Sequence, residues 1–150
     1  MMDIRTITHG DADAATTFAI EGMRPHLYPH VILSEAKVRA MVDHIVRGGS
    51  KVFGMGAFDG YGRLVALVAA VVQPMLWFER DEAHVVVCRS TVPGAGVALI
   101  RKLMEWAQGQ MFVRQISFAM EPDADGRQLA MLQKRFGFQR SQQVALWAKG

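Results

Sequence analysis

The segment "RLVALVAAVVQ", Arg63 to Gln73, does most to limit what this chain can fold into. From Leu64 to Val72 every side chain is apolar, so neither the odd nor the even positions can face water. As a strand it must lie inside a sheet covered on both sides, although its alanines keep a helix open as the alternative. The run is too short to cross a bilayer. With "KVFGMGAF" before it and "DGYG" between, it reads as the second limb of a hairpin. Such a strand needs helices for both faces.

The remaining sequence supplies them. Asp3 to Thr8 alternates weakly as a first strand, and Gly10 to Asp13 offers caps for a helix carrying Ala15, Phe18, Ala19 and Met23. "RPHLYPH" interrupts it, since Pro25 and Pro29 cannot continue a helix. Ser34 is a predicted N-cap for a second helix with Val38, Met41, Val42 and Ile45 on one stripe, closed by Gly48 and Gly49. After the hairpin come a strand at about Ala83 to Cys88, a helix over Val97 to Gln108 and a strand "VRQISFAM". A helix around Gly126 to Phe136 and a last strand near Gln142 to Ala148 complete the chain. The order β-α-α-β-β-β-α-β-α-β predicts an α/β fold, more strictly α+β. Its mixed sheet has antiparallel neighbours and at least one parallel pair, in a single domain over residues 1–150.

The chain has 150 residues, 51% of them hydrophobic and 21% charged, the balance of a globular protein and not of a disordered one. No opening segment has the basic, apolar and small-residue order of a signal peptide, and the expected address is cytoplasmic without membrane attachment. A lone cysteine, Cys88, excludes an internal disulfide framework, and no Cys or His pair has zinc spacing, so no metal is expected. The net charge of +3 is spread among acids. It gives nucleic-acid binding little weight and suits an anionic small ligand equally. The ten methionines and Trp77, Trp106 and Trp147 read as core filler.

Chemistry first shows in "RSTVPGAGVALIRKLMEW", Arg89 to Trp106. Gly94 and Gly96 remove Cβ atoms that would keep an anion from the main chain, and the N–H groups of the following helix's first turn carry partial positive charge. A diphosphate fits there, yet glycine in a strand-to-helix turn serves conformation equally well. Neither GxxxxGK[ST] nor a complete GxGxxG is present.

Taken with "LAMLQKRFGF" downstream, "VVVCRSTVPGAGVALIRKLMEWAQ" resembles the GNAT superfamily of acyl-CoA-dependent N-acyltransferases. The matching positions are Gly94 and Gly96 of a [QR]-x-x-G-x-[GA] loop, and Gly137 and Phe138 of a Y-x-x-x-G-F ending. The resemblance covers the second half of the chain by motif and all of it by order of elements. It implies a twisted sheet split between its fourth and fifth strands, with acetyl-CoA as acyl donor in the split. Backbone groups of Val86 and Val87 would pair with pantetheine, and N–H groups at Val92, Gly94, Ala95, Gly96 and Val97 would hold the pyrophosphate. Thr91 stands where the family has Gln or Arg, Gly126 near its usual Asn, and Gln133 in place of the Tyr that protonates the thiolate.

The reaction so implied is attack of a neutral amine on a thioester, which needs a base for the ammonium and a donor for the oxyanion. His84 is the first candidate base, because it lies four residues before Cys88 where some GNAT members carry a catalytic Glu; a packed or surface histidine is the plainer reading. Glu121 could act through water, with Asp123 and Asp125 adding negative potential or merely capping a helix, and Glu82 is held in reserve. Tyr28, Tyr61 or water could protonate the thiolate, since an amide at Gln133 cannot. Cys88 reads as a small hydrophobe, not an acylated nucleophile. The acceptor, a small-molecule amine or a protein amino group, is expected against "EGMRPHLYPHVILSE", where His26, Tyr28 and His30 are the candidate contacts. Two alternatives stay open: a catalytically idle acyl-CoA-binding module, and a basic nucleic-acid-associated domain. Pairing through the edge of the last strand offers a route to a homodimer.

Overall fold

The computed structural model describes residues 2–26, 31–118, 126–140 and 147. They belong to two compact units, one of Met1–Leu27 and Leu33–Ala119, the other of Tyr28–Ile32 and Met120–Gly150.

The first unit holds β1 (Asp3–Thr6), α1 (Ala12–Met23), α2 (Glu35–Val46), β2 (Val52–Phe58), β3 (Leu64–Pro74), β4 (Asp81–Ser90), α3 (Ala95–Gln108) and β5 (Val113–Phe118). Short 3-10 turns at His9–Asp11 and Arg24–His26 precede and follow α1. Its mixed sheet runs β1-β2-β3-β4-β5, antiparallel except for the β4–β5 pair. The second unit contributes α4 (Arg127–Phe136), which ends at Gly137 with φ +73° and with the Gly137 N–H on the Gln133 carbonyl at 3.2 Å.

The strand predicted to have no polar face is the middle strand. Val65 to Ala70 of β3 are all buried. Leu67 and Ala69 share one core with Phe18 of α1, Val42 and Ile45 of α2, and Val52 of β2. The alternate positions face the other side of the sheet, where α3 buries Leu99, Ile100 and Leu103 and lays Trp106 on Phe53, ring centroids 5.4 Å apart. Burial of this order, roughly 2 kcal/mol for each large aliphatic side chain, decides strand over helix for the alanine-containing run.

The boundaries follow local chemistry. Ser34 caps α2 by accepting the Lys37 N–H at 3.2 Å. β4 extends beyond the expected Ala83 to Cys88, because Asp81 and Glu82 pair with Pro74 and Gln73 at the end of the hairpin. Of the three tryptophans read as core filler, Trp106 is half-buried against Phe53, whereas Trp77 lies 83% exposed on the β3–β4 turn beside exposed Leu76 and Phe78, and Trp147 is 85% exposed. A turn tip has no layer above it, whatever its hydropathy. The last strand expected near Gln142 to Ala148 falls outside the described residues.

Between β1 and α1, Asp11 accepts from both terminal nitrogens of the Arg5 guanidinium, at 2.7 and 3.0 Å, and from the Thr8 N–H at 2.7 Å. These hydrogen bonds, Arg5 foremost, hold its pKa down to about 2 against burial, which opposes the fall. A depressed carboxylate stabilises the fold above its unfolded value near 4 and loses that contribution as pH falls toward 2. With Arg5 partly exposed, screening leaves about 1 kcal/mol. Asp11→Asn is therefore expected to lower stability by that amount at pH 7 and by progressively less as pH falls toward 2, as read by urea unfolding at both pH values.

Candidate functional site

The turn between β4 and α3 is built by its own residues. Thr91 fastens it to β3, its N–H and its Oγ1 both donating to the Val65 carbonyl at 2.8 and 3.0 Å. Ser90 Oγ donates to the Val92 carbonyl at 2.7 Å. Gly94 then caps α3 with φ +83°, a left-handed conformation that other residues adopt at a cost of about 1–2 kcal/mol. No side chain caps α3 and no acid lies in its first turn. The helix start consequently presents main-chain N–H groups and a positive dipole end that no acid of its own first turn answers.

β4 itself is broken just before that turn. Ala69 pairs with Val87 and Ala70 with Val85, so Val86 is an extra residue without a register partner on β3. On the other edge, the described β5 register ends at Val85 and Phe118, while β4 runs on to Ser90. Val86, outside the β3 register, thus sits at the carboxyl end of a parallel strand, where α/β sheets commonly take ligands.

One turn of the pleat earlier, the same face carries a polar network. Glu82 accepts from Gln73 Nε2 at 2.7 Å and from Gln115 Nε2 at 2.8 Å, and His84 Nδ1 lies 2.9 Å from Ser117 Oγ. Burial works to raise the Glu82 pKa, but hydrogen bonds from Gln115, Gln73 and Ser117 and the charge of His84 together bring it below its ordinary value. Glu82 stays a carboxylate and only accepts. The Ser117 hydroxyl adds to the hydrogen bonding of Glu82, and its oxygen shares one hydrogen bond with His84 Nδ1.

Several predicted residues are thereby brought together: His84, Val86, Val87, Val92, Gly94, Ala95, Gly96 and Val97 lie on β4 and the turn and helix that follow it. Glu82, held in reserve, is the acceptor at the centre of the network. Ser117, Gln115 and Gln73 were not anticipated; strand alternation in "VRQISF" puts Gln115 and Ser117 on one face, but only the register sets them opposite Glu82 and His84. Cys88 is half-buried. Tyr61 is 86% exposed on the β2–β3 turn, with the Arg63 guanidinium 5.2 Å from its ring centroid. His26 closes the 3-10 turn after α1. Glu121, Asp123, Asp125, Tyr28 and His30 lie outside the described residues.

Solved structures align with the chain from end to end. AAC(6')-Iy, in complex with the bisubstrate analogue CoA-S-monomethyl-acetylneamine, matches with a TM-score of 0.68 at 15% identity, over 100% of this chain and 99% of its own. The ribosomal-protein-alanine N-acetyltransferase of Brucella melitensis biovar Abortus 2308 gives 0.65 at 16% identity, over 99% of both chains. An acetyltransferase of Trypanosoma brucei gives 0.66 at 17%, over 97% of this chain and 99% of its own. The chain has the GNAT N-acyltransferase fold. No protein-family profile and no curated protein sequence matches it.

Among the departures from the GNAT pattern, Thr91 has a clear local role. Where a longer Gln or Arg would stand, its short hydroxyl ties the turn to β3. Gly126 is the left-handed start of α4, φ +64°, a conformation that asparagine also tolerates. Gln133 lies within α4, and its amide does not release a proton at useful pH. Among the described residues no cluster of metal-ligating side chains occurs, and no helix is long and apolar enough to cross a membrane.

Proposed function

We propose that the protein is an acyl-CoA-dependent N-acyltransferase, with acetyl-CoA among its donors and a small-molecule amine or a protein amino group as acceptor. The observation that carries this reading is the sequence of three features along one stretch of chain. His84 is set by Ser117, the strand is broken at Val86, and the helix start at Gly94 is uncapped.

In this reading the pyrophosphate lies on the N–H groups at Val92 and Gly94 to Val97, and pantetheine runs along Val86 and Val87. The amine nitrogen attacks the thioester carbonyl carbon, the C–S bond breaks, and an amide and a CoA thiolate result. His84 Nε2 takes the proton that the ammonium must lose, directly or through one water; Glu82 steadies the resulting imidazolium through Ser117. In the same reading a main-chain N–H at the bulge donates to the oxyanion. The thiolate, a good leaving group, takes its proton from water.

Thermal-shift titration tests the binding half. Acetyl-CoA and CoA are expected to raise the melting temperature with concentration as RT ln(1 + [L]/Kd), while ATP and NAD do not. No rise at millimolar acetyl-CoA overturns the reading. Gln133 supports a second one, an acyl-CoA-binding module without turnover, for which the shift would appear but no thiol would be released across a panel of amines.

A further inference from the structure

We propose that the donor this protein prefers carries an acyl chain longer than acetyl, of about six carbons, held in the apolar cavity between β4 and α2; this rests on the acyl-CoA reading above. The cavity has a volume of about 210 Å³. An apolar cavity of about 150 Å³ suffices for benzene, so six carbons fit this one. Val86 and Val87 both line it. Consecutive residues of an unbroken strand face opposite sides of the sheet, and the bulge is what allows both to face the cavity. The cavity therefore begins at the same two residues against which the thioester end of pantetheine would lie. A longer chain enters it by continuing past the carbonyl.

The walls favour a hydrocarbon over the amine. Met23 of α1, Met41 of α2 and Ala69 of β3 are apolar, and methionines adjust to chains of differing length. The one charged residue lining the cavity, Lys37, is exposed and of the same sign as an ammonium. An amine acceptor would lose its hydration there and gain no partner. Acetyl, with a single methyl, would leave most of the walls without contact.

The test is a series of dissociation constants for CoA, acetyl-CoA, butyryl-CoA, hexanoyl-CoA and decanoyl-CoA. Each fully buried methylene strengthens binding up to about four-fold, so hexanoyl-CoA is expected to bind at least about ten-fold tighter than acetyl-CoA, with decanoyl-CoA gaining nothing more. Ala69→Leu, which fills the cavity, is expected to bring the hexanoyl to acetyl ratio toward one. Met41→Ala, which widens it, should move the optimum to longer chains and serves if the first variant does not fold. Equal affinity for acetyl- and hexanoyl-CoA overturns the proposal and leaves the acyl-CoA reading intact. A change in the Michaelis constant for the amine, with the ratio unmoved, also overturns it by assigning the cavity to the acceptor. Failure of CoA itself to bind defeats the underlying reading as well, and CoA has no acyl chain to confuse the two.

Discussion

Gly94→Leu is expected to weaken acyl-CoA binding by about 10- to 100-fold while the protein still folds. The loss comes from geometry at the start of α3. A leucine is strained at φ +83°, and relieving the strain turns the Gly94–Ala95 peptide away from where its N–H meets phosphate. Losing charge-assisted hydrogen bonds of about 1.5–3 kcal/mol gives that range. A Cβ at Gly94 meets no atom within 4 Å, so the folding cost is backbone strain alone. At about 1–2 kcal/mol it lowers the melting temperature by about 2–8 °C. Calorimetric titration of CoA into the variant, beside its melting curve without ligand, separates the two effects. Unchanged affinity in the variant would mean that the phosphates are held elsewhere.

The second large effect is expected at His84. His84→Ala should lower kcat by about 100-fold or more, the usual contribution of a general base, and leave the dissociation constant for acyl-CoA unchanged. The acidic limb of the kcat/KM profile should disappear with it. Ser117→Ala should give a smaller loss, because Ser117 acts by holding His84 Nδ1 and not by touching substrate. Glu82→Gln removes the carboxylate that steadies an imidazolium, and its effect should track that of Ser117 in a double-mutant cycle, since the two share one network. A His84→Ala enzyme with full kcat and an unaltered pH profile would leave His84 as a packed strand histidine.

Much of this architecture was legible residue by residue. The apolar stretch from Leu64 to Val72 could only be covered on both faces, and it became β3. Ser34 announced the start of α2, Gly48 and Gly49 its end, and "DGYG" the hairpin. These features are local: caps, turns and periodicity act through neighbours within a few residues, and each leaves its mark in a short window. The glycines at Gly94 and Gly96 belonged to the same class, marking the helix start while leaving the choice between a turn and an anion cradle open.

What the sequence determined by itself, then, was the kind of each element, its approximate limits and the place of the glycine turn. Only the tertiary structure decided which side chains meet. The extra residue at Val86 is invisible in "HVVVC", because a bulge is a mismatch in length between two strands and not a property of either. The partnership of His84 with Ser117, 33 residues apart, depends on a parallel register that a one-residue slip would turn to the opposite face. The cavity beside Val86 and Val87 arises because α1 and α2 cross that face of the sheet, a matter of packing between segments distant in the chain. Periodicity specifies a face; only packing supplies its neighbour.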